Sequence, residues 1–89
     1  MTNSHINETT MRQTLTHVSQ VTKVLRARRL SLKLSQADVA AKVGIHQSYL
    51  SAIEAGQRVL SVQRLLELAN VLDLELVIQD KQRGTGSEW

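Results

Sequence analysis

The residues best placed to do chemistry are His46, Gln47, Ser48 and Ser51, four hydrogen-bonding side chains within one short stretch. None is a strong acid or base, so the set suits recognition better than catalysis. The Gln47 amide can accept and donate at once, which matches N7 and N6 of adenine in a major groove. Ser48 and Ser51 are permissive partners for a base edge. Three roles are open for His46: weak helix cap, phosphate donor or base contact. Elsewhere catalysis finds no footing. His5, His17 and His46 lie in different segments with no carboxylate at ligand spacing, so a metal site is not expected. No glycine-rich phosphate loop or activated nucleophile is present. A non-enzyme that needs no cofactor is the expectation.

The stretch Ser35 to Gly56 must position those four side chains. Ser35 is a good N-cap, and Asp38 three residues on completes an S-x-x-D start. Val39, Ala40 and Val43 give the first helix of the pair a narrow apolar face. Gly44 falls where that helix must stop and the chain needs a positive φ. Ile45 plugs the turn. The second helix turns Leu50 and Ile53 inward and leaves His46, Gln47, Ser48 and Ser51 outward before ending at Gly56. Two helices joined this tightly, with a small polar face on the second, meet the requirements of a helix-turn-helix reader of DNA.

Leu34-Ser35-Gln36, Ala40, Gly44-Ile45, Leu50-Ser51, Glu54-x-Gly56 and Leu65-Leu66-x-Leu68-Ala69 together resemble the Xre, or phage-repressor-like, helix-turn-helix family. The resemblance runs from about Val21 to Leu76. It implies a phosphate-binding role for Gln36, beside Ser35 at the start of the first motif helix, where a helix N-terminus favours an anion. Such a contact positions a domain on DNA without choosing a sequence. It also implies that Arg29 pairs with Glu54, which would lock the preceding helix to the end of the recognition helix. Arg58, just past that helix, is read as a phosphate contact on the far wall of the groove. Tyr49 has two readings, a hydroxyl on a phosphate or a ring covering the edge of the core.

The rest of the chain supports those two helices. Of 89 residues, 42% are hydrophobic, yet there is no phenylalanine, proline or cysteine and only one tyrosine and one tryptophan. The core must be aliphatic, and disulfides and thiolate metal sites are excluded. Residues 1–18 are polar and aperiodic and read as a flexible N-terminal arm, with at most a helical turn around Met11 to Leu15. A first helix is expected from about Ser19 to Leu32 on Val21, Val24, Leu25 and Leu32, with Arg26, Arg28 and Arg29 forming either a solvated face or a phosphate clamp. Ser61 caps a later helix, and Leu60 and Leu65 form a hydrophobic staple across its start. Leu65, Leu66, Leu68, Ala69 and Leu72 make its apolar face wider than one small domain needs.

At Leu74-Glu75-Leu76-Val77-Ile78-Gln79 the period changes to two, with Leu74, Leu76 and Ile78 on one side. A lone strand has no ladder of its own to join. Pairing with the same strand of a second copy is the simplest solution, and it makes a homodimer; a fifth short helix or an edge docked on the core is the alternative. The expected fold is therefore all-α, a five-element helix-turn-helix domain of four to five helices over 19–73. A dimerisation strand follows at 74–80 and a flexible tail at 81–89. An Xre domain closed by such a strand resembles the HipB-type antitoxins. That resemblance implies a repressor of its own operon, bound to a palindromic double-stranded DNA operator, with a kinase-like toxin as protein partner. It also implies an anchor for that partner at Trp89, the alternative being an incidental aromatic at a chain end.

Charge agrees with this division. Between Ser19 and Arg58 seven cations face only Asp38 and Glu54, a net of +5, whereas Val59 to Asp80 carries a net of −3. Attraction to phosphate would concentrate positive charge in this way around the reading motif. No apolar run reaches the ~20 residues of a membrane span, and a cytoplasmic, nucleoid-associated protein is the expectation.

Overall fold

The computed structural model describes residues 12–81. Four helices follow one another: α1 (Val18–Ser31), α2 (Gln36–Val43), α3 (Gln47–Glu54) and α4 (Val62–Val71). α3 packs on both α1 and α2, and α4 packs on α2. Their shared core is Leu25, Val39, Ala40, Leu50, Ile53, Leu68 and Leu72. Ile53 and Leu68 have no exposed surface at all. Among the described residues no helix is long and apolar enough to cross a membrane.

Local chemistry fixes where each helix begins. Ser35 accepts from the Asp38 backbone N–H at 3.0 Å, and the Asp38 carboxylate accepts from the Ser35 N–H at 3.0 Å, closing a reciprocal cap on α2. The two Ser35 hydrogen bonds, first backbone and then side chain, hold the Asp38 carboxyl below the usual carboxylate range. Ser61 caps α4 by accepting from the Arg64 N–H, and Leu60 and Leu65 both pack against the core beside it. α1 starts one residue earlier than its apolar pattern implies. The Gln20 side-chain oxygen reaches back and accepts from the backbone N–H groups of Thr16 and His17, which satisfies donors the first turn leaves open. Residues 12–16 form no regular element, so no helical turn spans Met11 to Leu15 within them.

All four helices end in the same way. The N–H of the residue that follows a left-handed one bonds back to the carbonyl five residues earlier: Leu34 to Arg29, Ile45 to Ala40, Gln57 to Ala52 and Leu74 to Ala69. This closure needs a left-handed residue, supplied by Gly44 (φ 86°) and Gly56 (φ 76°) but also by Lys33 (φ 61°) and Asp73 (φ 58°). A Cβ on Gly44 would meet nothing within 4 Å. Gly44→Ala should therefore cost only the left-handed backbone term, about 1 kcal/mol by thermal denaturation. Lys33→Gly should shift stability the other way by a few tenths to ~1 kcal/mol, because it removes the same strain.

The largest departure from the sequence pattern is at the C-terminal side. Residues 74–81 form neither helix nor strand, and no strand occurs among the described residues. Leu74 is half-buried against the core, but Leu76 is 43% exposed, Val77 69% and Ile78 fully exposed. The period-two stretch therefore makes no fifth helix, and beyond Leu74 it does not dock on its own domain. Among the described residues it has no strand to pair with, which is the physical reason it forms no ladder there. Leu32 also differs from expectation. It caps α1 and is 37% exposed instead of closing the buried stripe, because the chain turns left-handed immediately after it.

Candidate nucleic-acid interface

α3 is a short helix with two unlike faces. Leu50 and Ile53 are buried in the core, while Gln47, Ser48 and Ser51 are exposed. His46 is its N-cap, exposed, with no side-chain bond to the helix. The imidazole therefore does not cap in the usual sense and stays free to meet a ligand. These four groups share the protruding side of a helix whose other side is held by complete burial. A firmly packed element bearing exposed polar side chains is the arrangement that groove reading needs.

The far end of α3 is fixed by Glu54. Arg29 of α1 donates Nε to Glu54 Oε2 at 2.7 Å and Nη2 to Oε1 at 3.0 Å, and its Nη1 donates to the Leu34 carbonyl at 2.9 Å. The two side chains are only 8% and 4% exposed. Gln36 joins them, donating Nε2 to Glu54 Oε1 at 3.0 Å. Because an ionised carboxylate only accepts, the Gln36 amide must turn its NH2 toward Glu54. One amide hydrogen and the carbonyl oxygen remain uncommitted. α1, the start of α2 and the end of α3 thus meet at one carboxylate. Burial pushes the Glu54 pKa up, but the hydrogen bonds from Arg29 and Gln36, then the Arg29 and Arg26 charges, outweigh it and leave it lowered. The hydrogen bond to Glu54 raises the Arg29 pKa despite burial.

Tyr49 sits at the margin of this surface, half-buried against the core. The Arg58 guanidinium lies 4.8 Å from its ring centroid, and that of Arg64 5.6 Å. Both contacts are within cation–π range. Arg64 is also paired with Glu67 at 2.7 Å, whereas exposed Arg58 has no carboxylate partner among the described residues. Ser35 presents its hydroxyl at the start of α2, where its oxygen already accepts from Asp38 and its hydrogen is free to donate. Trp89 lies outside the described residues. No group of side chains suited to holding a metal occurs among the described residues.

Sequence reasoning missed the role of Arg28, which it left as part of a basic cluster. Its Nε donates to the Leu72 carbonyl at 2.9 Å and its Nη2 to the Asp73 carbonyl at 3.2 Å. The guanidinium is thus a cap on the C-terminus of α4, where a cation complements the helix dipole. No local pattern announces a bond between residues so far apart in the chain. The Gln36–Glu54 bond was missed for the same reason.

Comparison with known proteins places this geometry among related chains. A family model described as Helix-turn-helix matches residues 25–78. An uncharacterized HTH-type transcriptional regulator, y4dL of Sinorhizobium fredii (strain NBRC 101917 / NGR234), is 39% identical over 62 residues. The match takes in 70% of this chain but only 32% of that protein, so the chain spans about a third of its curated relative. Among solved structures, the restriction-modification controller protein C.Esp1396I superposes with a TM-score of 0.62 at 29% identity, covering 65% of this chain and 74% of that one. HipB in complex with an O2 20mer superposes with a TM-score of 0.73 at 21% identity, covering 81% of this chain and all of that one. A chain of the HipA-HipB-O2-O3 complex gives a TM-score of 0.72 at 20% identity, covering 80% of this chain and all of that one.

Proposed function

This chain belongs to the helix-turn-helix family of DNA-binding domains, in its Xre-like branch, and on that premise we propose that it is a sequence-specific transcriptional repressor. The observation that carries the reading is α3, a helix buried on one side by Leu50 and Ile53 and offering His46, Gln47, Ser48 and Ser51 on the other. In this reading those four side chains enter a major groove. Gln47 makes the bidentate base contact, and Ser35, Gln36, Tyr49 and Arg58 hold flanking phosphates. The spare amide hydrogen of Gln36 and the Ser35 hydroxyl are the donors at the start of α2, and Arg58, steadied over the Tyr49 ring, is the cation beyond α3.

The protein acts as a homodimer on a near-palindromic operator with half-sites about one helical turn apart. Leu74, Leu76 and Ile78 supply the pairing strand; Leu74 is half-buried against the core, while Leu76 and Ile78 are exposed among the described residues. Val62 and Leu66, four residues apart on α4, are also exposed apolar side chains. The DNA-binding dimer serves as the antitoxin of a HipBA-like toxin–antitoxin pair in the cytoplasm, restraining its own operon and neutralising a kinase-like toxin, with Trp89 as an anchor in the toxin. Likeness to HipB chains over their whole length supports this assignment. A stand-alone regulator without a toxin is the second reading, favoured by likeness at higher identity to a restriction-modification controller protein.

Two experiments test these claims. Gln47→Ala should weaken binding to duplexes selected by the wild-type protein by about 1–3 kcal/mol and relax discrimination at one base pair. An unchanged base preference would remove Gln47 from the reading set. Inducing the neighbouring reading frame alone, then with this protein, separates antitoxin from stand-alone regulator. Growth arrest relieved by this protein, with a complex on co-purification, is the antitoxin result; neither toxicity nor complex leaves the second reading.

A further inference from the structure

We propose that Arg28 sets the distance and angle between the two reading helices of the dimer, and so selects the half-site spacing the protein accepts. The inference rests on the homodimer reading. If residues 74–80 pair across a two-fold axis, the short stretch Leu72 to Leu74 is the joint between each reading domain and that axis. Whatever holds this joint fixes where α3 points relative to its twin.

The joint is held on both sides. The Leu74 N–H bonds back to the Ala69 carbonyl at 2.8 Å, which ties it to α4. From α1, Arg28 grips the carbonyls of Leu72 and Asp73 with two arms of one planar guanidinium. Asp73 lies between them in the left-handed region (φ 58°), where a residue other than glycine is under strain and needs to be held. Two donors in a rigid fork fix rotation as well as position, which a lysine ammonium cannot do. α3 packs directly on α1, so the path from the groove-facing helix to the dimer strand runs α3, α1, Arg28, joint. The Asp73 carboxylate is 3.8 Å from Arg28 and 92% exposed, so it adds little to the hold. Residues 75–81 are exposed, so among the described residues the Arg28 clamp and the Leu74 contacts are the last that hold the segment to its domain.

The test uses the full chain and inverted-repeat duplexes selected from a random pool by the wild-type protein. Spacers between half-sites are lengthened and shortened one base pair at a time, and affinity is read by fluorescence anisotropy. Wild type should prefer one spacing and lose ~100-fold when the heads are turned half a helical turn apart, since both can no longer dock at once. Arg28→Gln should narrow that ratio to within ~10-fold, with Arg28→Lys between the two, because the fork is lost but the charge is kept. Sedimentation should show both variants still dimeric. If both variants keep the wild-type ratio while weakening equally at every spacing, Arg28 is only a helix cap and the proposal is overturned. Should Arg28→Gln not fold, Arg28→Lys decides alone, a wild-type ratio refuting the proposal. A wild-type protein that is monomeric and indifferent to spacing overturns the homodimer reading first, and this inference with it.

Discussion

Arg29→Ala should cost about 3–5 kcal/mol in urea denaturation, a large part of the ~5–15 kcal/mol that holds a domain together. The reason is what the substitution leaves behind. The Glu54 side chain is 4% exposed and would keep only the Gln36 amide as a partner, a neutral donor facing a buried negative charge. The Leu34 carbonyl would lose its guanidinium donor as well. Arg29→Lys should recover only part of the loss, since one ammonium cannot make two parallel bonds to Glu54 and a third to Leu34. Replacing both charges together, Arg29→Met with Glu54→Leu, should cost much less than either alone, because no unpaired charge remains buried. If Arg29→Ala costs under ~1 kcal/mol, the pair contributes no more than a surface ion pair would.

The same carboxylate gives the domain an acid limb. With its folded pKa lowered, Glu54 contributes stability that is present above its unfolded value, about 4.3, and is lost as pH falls through the folded one. Asp38 acts in the same direction at the surface. The raised pKa of Arg29 lies above any working pH and adds no acid dependence. Glu54→Gln should therefore be less stable at neutral pH but show a shallower fall below pH 4 than wild type.

What could be read in the sequence was whatever is encoded within one turn of chain. The Ser35–Asp38 cap, the left-handed Gly44, and the Ser61 cap with its Leu60 and Leu65 neighbours each follow from residues within about one turn of one another. The inward Leu50 and Ile53 likewise follow from helical spacing. What escaped the sequence depends on distant partners or on backbone strain borne by an ordinary residue. Lys33 and Asp73 turn left-handed where glycine would be expected, and only the closing hydrogen bonds explain it. Arg28 reads as one of three basic residues until α4 arrives beneath it. The Arg29–Glu54 contact was carried by family resemblance and not by spacing, which has nothing to say about residues 25 positions apart. The alternation at 74–79 is legible as a pattern, but a pattern cannot supply the partner a strand needs.

Salt separates the two kinds of groove contact. If ~4–6 phosphates are neutralised per dimer, log K should fall with log salt at a slope of about −4 to −5, so binding weakens by about 250- to 1,000-fold between 50 and 200 mM. Individual side chains divide that slope. Arg58 is exposed, stacked on Tyr49 and without a carboxylate partner among the described residues. Arg58→Ala should lower the slope by about 1.8, one phosphate for each half of the dimer. Arg64, over the same ring, already spends its charge on Glu67 at 2.7 Å, so Arg64→Ala should leave the slope nearly unchanged. Gln47→Ala should reduce affinity and leave the slope alone, because a neutral amide on a base edge releases no counterion. A slope near zero for the wild-type protein would contradict the DNA-binding reading at its root. A steep slope that Arg58→Ala does not change would move the phosphate contacts to Lys23, Arg26, Lys33 and Lys42, the cations of the +5 segment not already held by Glu54 or by the carbonyls after α4.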